Sequence, residues 1–151
     1  MASYSNAFKK GLKAAKNAVR AKAEIDAVFK DLESDILKDT DGNVKISRRE
    51  VDVDENDDYL VYLGVANAKR STRVMAIAAE NPKISNGPVK LLARWSQDPR
   101  GYPCKIDLGD IEYISQDRDA LQENLARMLA NPVVGEKLAA FTELQPEQSV
   151  A

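Results

Sequence analysis

The sequence has no histidine and only one cysteine, Cys104, among its 151 residues. Histidine is the commonest general acid or base in enzymes and the usual partner of a serine or cysteine nucleophile. A single cysteine cannot form an internal disulfide, and counting alone excludes a zinc site built from Cys and His ligands. The composition therefore predicts a protein that is not an enzyme, with no catalytic residue, in a cytoplasmic setting.

Several other features are scarce. No apolar run approaches the ~20 residues that span a membrane, so we expect no membrane span. The seven glycines are scattered and form no phosphate-binding loop. Hydrophobic residues make up 44% and charged residues 30%, which is ordinary globular usage. A chain of this length and composition is expected to form one domain.

Charge is segregated along the chain, although the formal net charge is only -2. Residues 1–23 contain no acid and six bases, which are Lys9, Lys10, Lys13, Lys16, Arg20 and Lys22. Residues 50–58 contain no base and six acids, which are Glu50, Asp52, Asp54, Glu55, Asp57 and Asp58. The basic segment could bind an anionic partner, and the acidic segment could bind a basic one or only discourage aggregation of strand edges.

Residues 5–38 have helical periodicity and predict one long amphipathic helix with Ser5 as its N-cap. A first apolar set follows 4-3-4 spacing: Phe8, Leu12, Ala15 and Val19. A second set follows the same spacing: Ile25, Phe29, Leu32 and Ile36. At about 100° per residue the second set lies roughly 90° around the axis from the first. The pattern therefore predicts either a broad apolar stripe or a bend near residues 21–24.

The middle of the chain, residues 43–115, predicts an antiparallel sheet of four or five strands joined by short turns. Residues 59–66 are predicted to form the clearest buried strand, after a turn at residues 55–58 and before a loop at residues 67–71. Further strands are predicted at residues 72–79, 89–96 and 102–108, with residues 111–114 extending the last. Alanine and methionine in residues 72–79 would also suit a helix.

Residues 117–142 predict two short helices, which are separated at Asn131 and Pro132. Residues 145–151 are predicted to be a frayed tail. Either Ser115 or Asp117 could cap the first of them. The predicted fold is a single α+β domain over residues 1–144. Its long N-terminal amphipathic helix packs on the antiparallel sheet, and the C-terminal helices complete the helical layer or cover an edge.

Residues 39–50 resemble an EF-hand calcium loop. The resemblance assigns ligand positions to Asp39, Asp41, Asn43, Lys45 through its carbonyl, and Glu50. Two features depart from the motif. Val44 stands where the loop needs glycine, and the residues after Glu50 alternate like a strand where an exit helix would follow. The alternative interpretation is a turn between helix and strand, since Asp, Gly and Asn are turn residues.

Two basic regions are candidates for nucleic-acid or anionic-partner binding. The first lies on one face of the N-terminal helix and comprises Lys9, Lys10, Lys13, Lys16 and Arg20. The second interleaves bases with aromatic rings, which can stack nucleobases, over residues 94–105: Arg94, Trp95, Arg100, Tyr102 and Lys105. The candidate contacts among them are Arg94, Trp95 and Tyr102. Solvated surface lysines and a core tryptophan beneath a hairpin are the alternatives for the two regions.

Three functional hypotheses follow. The first is a non-catalytic protein-interaction module of adaptor, chaperone-like or inhibitor type, for which a bacterial or phage origin is a working guess. Its helix, apolar over a broad stripe, also predicts a homo-oligomer. The second is a nucleic-acid-associated protein that binds through the basic helix face. The third is a calcium-binding protein that uses residues 39–50.

Overall fold

The computed structural model describes residues 3–54 and 71–143. Within them the chain forms a long helix, five strands and two shorter helices, in an α+β arrangement as predicted. In chain order the elements are α1 (Tyr4–Asp39), β1 (Lys45–Asp54), β2 (Ser71–Glu80), β3 (Val89–Asp98), β4 (Gly101–Asp107), β5 (Glu112–Ser115), α2 (Arg118–Ala130) and α3 (Pro132–Glu143). The predicted turn at residues 55–58, the strand at residues 59–66 and the loop residues 67–70 lie outside the described residues, as does the tail at residues 145–151.

The five strands form one antiparallel meander in the order β1-β2-β3-β4-β5. The longest pairing joins β1 to β2, from Lys45 opposite Glu80 to Asp54 opposite Ser71. Residues 72–79, for which a helix was an alternative, lie within strand β2. Because side chains alternate across a strand, Arg48, Glu50 and Asp52 share one face of β1.

Helix α1 is continuous over 36 residues, so it contains no break near residues 21–24. It begins two residues earlier than predicted: the N-cap is Ser3, whose Oγ accepts a hydrogen bond from the Asn6 N–H at 3.3 Å. Ser5 lies inside the first turn and is not the cap. Helix α2 is capped by Asp117, one of the two predicted candidates, whose Oδ1 accepts from the Ala120 N–H at 2.8 Å.

A single hydrophobic core lies between the sheet and the helices. Helix α1 contacts β1 and β4, α2 packs beside α1 and against β4 and β5, and α3 contacts β3 and α2. The buried residues of α1 are Ile25, Val28 and Phe29, and all of them lie in its second half. The prediction that the long helix packs on the sheet therefore holds for that half alone.

Candidate interaction site on the projecting helix

The first half of α1 projects from the domain. Every side chain of residues 4–20 is exposed except that of Ala18, which is half-buried. Tyr4 is 89% exposed, Phe8 68% and Val19 69%. We call residues 4–20 the basic helix half. The four residues of the first apolar set, Phe8, Leu12, Ala15 and Val19, are its apolar stripe. The sequence predicted that the long helix packs on the sheet, but this stripe faces solvent.

The stripe is exposed because it points in a different direction from the core-facing residues. The two sets lie about a quarter turn apart around the helix axis, as their spacing predicted. On the same face of the helix as the stripe, the second half of α1 carries Lys22, Asp26 and Lys30 in place of apolar residues. Asp26 Oδ1 accepts a hydrogen bond from Arg48 of β1 at 2.6 Å. The stripe therefore faces the β1 side of the molecule, and none of the described residues covers it.

The β3–β4 turn holds α1 where the helix leaves the domain. Gly101 has φ +100°, and a Cβ at this position would lie 2.6 Å from the Cβ of Ala21. The next residue, Tyr102, donates its phenolic hydrogen to Glu24 Oε1 at 2.7 Å. Burial of the phenol and its bond to Glu24 raise the pKa of Tyr102 well above its usual range. The predicted stacking residue Tyr102 is therefore engaged with α1.

Five bases of the predicted binding face lie on the exposed half: Lys9, Lys10, Lys13, Lys16 and Arg20. At 100° per residue, Lys9, Lys13, Lys16 and Arg20 fall within about 60° of one another, beside the apolar stripe. Among the described residues none of the five forms an ion pair with an acid. The surface thus combines an apolar stripe with a row of positive charge.

The second predicted basic region does not form one surface. Trp95 is only 6% exposed and packs edge-on against Phe29, with ring centroids 4.9 Å apart. The Arg48 guanidinium lies over both rings, 4.3 Å from the Phe29 centroid and 5.8 Å from that of Trp95. Arg94 is exposed and, as the neighbour of Trp95 in β3, points to the opposite face of the sheet. The tryptophan ring is therefore a core group that cannot stack on a nucleobase.

Residues 39–50 form the C-terminal cap of α1 and the start of β1. The Gly42 N–H donates to the Leu37 carbonyl at 2.7 Å and the Asp41 N–H to that of Lys38 at 3.4 Å, which is a Schellman motif. Asp41 and Gly42 have φ values of +54° and +80°. Asn43 and Lys45 lead into the strand.

Glu50, the closing ligand of the calcium hypothesis, lies within β1 and pairs with Arg73 at 3.6 Å. No group of three or more His, Cys, Asp or Glu side chains in the described parts of the chain is placed to hold a metal ion. This geometry does not support calcium coordination by Asp39, Asp41, Asn43, Lys45 and Glu50, and calcium binding stays a prediction from the sequence.

A second surface lies at the far end of the β1–β2 pair, in the acidic segment that the sequence offered as a possible binding site for a basic partner. Arg73 bridges Glu50 at 3.6 Å and Asp52 at 3.3 Å, and Met75 stands directly opposite Glu50 in the register. Met75 is 43% exposed. We call these four residues the acidic hairpin end. They share the sheet face that carries Arg48 and therefore face the side of the sheet on which α1 lies.

An open cavity of about 530 Å³ adjoins the acidic hairpin end. Its lining residues are Arg48, Met75, Trp95, Ser96 and Gln97. Only the acidic composition of residues 50–58 was visible in the sequence. The cross-strand partners Arg73 and Met75 follow from the register, which the sequence did not reveal.

The one cysteine does not supply a nucleophile. Cys104 is fully buried in the core, and burial raises the pKa of its thiol to about 11. The thiol is therefore protonated at neutral pH, whereas the thiolate is the reactive form.

Comparisons with protein families, curated proteins and solved structures return no match to this chain. Within the described residues, no helix combines the length and the apolarity needed to cross a lipid bilayer. The geometry of the two surfaces is therefore the basis for any functional proposal.

Proposed function

We propose that this protein is a non-catalytic protein-interaction module, of adaptor, chaperone-like or inhibitor type, and that the basic helix half is its recognition element. The observation that carries the proposal is the exposed apolar stripe on a helix that the domain anchors but does not cover. Amphipathic helices bind partner proteins by laying such a stripe into an apolar groove. A cytoplasmic setting, suggested by the single cysteine, belongs to the same proposal.

The stripe offers enough apolar surface to matter energetically. Complete burial of a Phe, Leu or Val side chain contributes about 1.5–3 kcal/mol. Phe8, Leu12 and Val19 together would therefore contribute on the order of 5 kcal/mol before the entropy of association is subtracted. The helix is formed before binding, so little additional ordering of its backbone opposes the interaction.

The test is capture of binding proteins with two variants of matched charge. Phe8→Glu with Leu12→Glu places two acids on the apolar stripe, whereas Asn6→Glu with Asn17→Glu places two acids on the opposite side of the same helix. We expect the first variant to lose the proteins that the wild type captures from its source lysate, and the second to retain them. Equal capture by both variants would show that the stripe is not the recognition element.

Nucleic-acid binding is a second candidate function, and the row formed by Lys9, Lys13, Lys16 and Arg20 favours it. Contacts to phosphates would give an affinity that falls with salt, with a logarithmic slope of about 0.7–0.9 per phosphate neutralised. Fluorescence anisotropy of single- and double-stranded oligonucleotides measures this slope. Replacing the three lysines by glutamine should flatten it. An absence of binding even at low salt would exclude this function.

A further inference from the structure

We infer that the basic helix half docks on a second copy of this chain, against the acidic hairpin end, and that the contact is reciprocal in a two-fold dimer. The inference rests on the proposed function, because it takes the exposed helix as the recognition element and names what that helix recognises. Four observations support it. They are the complementary charge, the open cavity lined by Met75 and Trp95, the position of both surfaces at one level of the molecule, and the repulsion that disfavours direct pairing of two helices.

The two surfaces carry opposite charge. The basic helix half contains five bases and no acid, whereas the acidic hairpin end contains two acids, Glu50 and Asp52, and one base, Arg73. Glu50 and Asp52 share Arg73 as their ion-pair partner, so these three described residues retain one net negative charge. The side chain of Glu50 is 60% exposed and that of Asp52 is 62% exposed. Both carboxylates are therefore accessible to a lysine of a neighbouring molecule.

The acidic hairpin end also has an apolar part that suits the stripe. Met75 lies between the acids and the open cavity, and the edge of Trp95 forms part of the cavity wall. A flexible thioether adapts to irregular partners and makes favourable contacts with aromatic ring edges. Docking would place an apolar side chain such as Phe8 in the cavity while the neighbouring lysines reach the acids. Each surface thus combines apolar and charged groups.

The two surfaces lie at the same level of the molecule. Lys45 approaches Glu33 at 3.7 Å and Arg48 binds Asp26 at 2.6 Å, so β1 runs antiparallel to α1. Between these two contacts β1 advances by three residues and α1 by seven, and each advance is roughly 10 Å along the axis. If β1 continues past Arg48 at the same rate, Asp52 lies roughly level with residue 17 of the helix. Because each copy presents both surfaces at one end, a two-fold axis can satisfy both contacts at once.

A simpler dimer would pair the two stripes directly. In an antiparallel pair of helices, the same flank of each helix meets its counterpart, so the row of bases beside one stripe would face the row beside the other. That arrangement brings like charges together without a described acid between them. Docking on the acidic hairpin end avoids this repulsion, and we therefore favour it over helix-to-helix pairing.

Charge reversal provides the test. The helix variant carries Lys13→Glu and Lys16→Glu. The hairpin variant carries Glu50→Lys, Asp52→Lys and Arg73→Glu, which keeps the local ion pairs with inverted polarity. Sedimentation velocity measures the mass of each protein from micromolar to submillimolar concentration. We expect a wild-type dimer and at least a tenfold increase in the dissociation constant for each variant alone.

Mixing the two variants is the decisive measurement. In the mixture each helix half finds a hairpin end of opposite charge on the other variant, so we expect heterodimers of nearly wild-type affinity. A single chain that carries all five substitutions should likewise recover the dimer. If the helix instead closed on its own hairpin, the variants would stay monomeric when mixed, and this result would overturn the inference. A wild-type protein that is monomeric at submillimolar concentration would overturn it as well.

The proposed function and the dimer inference can be refuted independently of each other. If the wild type is a monomer while Phe8→Glu with Leu12→Glu still abolishes capture of other proteins, the self-docking inference fails and the interaction module remains. If the dimer persists in that variant, the stripe does not hold the dimer together, and the inference is again refuted. A circular-dichroism spectrum of each variant confirms that the domain is folded.

Discussion

Two valines of the same helix provide an internal comparison of its two halves. Val28 is 6% exposed and belongs to the core, whereas Val19 is 69% exposed on the apolar stripe. Val28→Ala and Val19→Ala remove the same two methyl groups from the same helix, nine positions apart. Any difference between them therefore reports the surroundings of the side chain and not its chemistry.

The expected magnitudes differ clearly. Each buried methyl group contributes about 0.8 kcal/mol, so Val28→Ala loses about 1.6 kcal/mol of transfer free energy. The cavity left behind raises the expected loss of unfolding free energy to about 2–3 kcal/mol. For a domain of this size that loss lowers the melting temperature by about 5–10 °C. Val19→Ala removes little buried surface, because the side chain is mostly exposed, and alanine has the higher helix propensity. It should therefore change the unfolding free energy by no more than about 0.5 kcal/mol.

Urea unfolding followed by circular dichroism, at low micromolar protein, measures both variants. The slope with denaturant should stay constant while the midpoint shifts for Val28→Ala alone. Equal destabilisation by Val19→Ala under these dilute conditions would refute the reasoning, because it would show that the stripe is buried within the monomer. If the stripe docks on a second copy, Val19→Ala should become destabilising only as the protein concentration is raised.

Three further predictions concern the β3–β4 turn and the core beneath it. Gly101→Ala should lower the unfolding free energy by about 2–4 kcal/mol in a thermal melt, because the backbone strain of a positive φ adds to a steric clash with α1. Gly109→Ala is the control: this residue has a φ of +98° but no neighbour within 4 Å, so only the smaller cost of the backbone strain is expected. Tyr102→Phe should cost about 1 kcal/mol in urea unfolding through loss of the bond to Glu24, and an unchanged midpoint would contradict that bond. Because burial raises the pKa of Cys104 to about 11, a thiol reagent at pH 8 should label it only as the protein unfolds, and rapid labelling of the native state would refute its burial.

The elements of the fold could be predicted because their signals are local. The spacing of apolar residues predicted α1 within two residues at each end, and the strands predicted at residues 72–79, 89–96 and 102–108 correspond to β2, β3 and β4. Residues 111–114 were expected to extend the last of these strands, and instead the separate strand β5 begins at Glu112. Asn131 and Pro132 separated the last two helices as expected, with Asn131 Oδ1 accepting from the Val133 N–H at 2.9 Å. In each case the sequence signal consists of residues only a few positions apart.

What the sequence could not reveal depends on contacts between distant elements. Periodicity shows that Phe8 and Phe29 each belong to an apolar stripe, but only the sheet decides which stripe it covers. The place of Trp95 in the core follows from its contact with Phe29 on α1, a residue 66 positions earlier. The loop at residues 39–50 was ambiguous for a different reason, because acids, glycine and asparagine serve both a calcium loop and a helix cap. There the left-handed conformation of Asp41 and Gly42 decides the local geometry.

Repulsion between the like charges of the basic helix half lowers the stability of this part of the helix. Lysine and arginine at i, i+3 or i+4 repel each other, and Lys9, Lys10, Lys13, Lys16 and Arg20 form four such pairs. At about 0.2–0.5 kcal/mol for each pair, the repulsion costs the isolated helix on the order of 1 kcal/mol. No acid of residues 4–20 offsets it. An anionic surface facing this row would remove the repulsion and stabilise the helix at the same time. Binding an anionic partner would therefore add stability to a helix half that is already formed, because the partner removes the repulsion within the row.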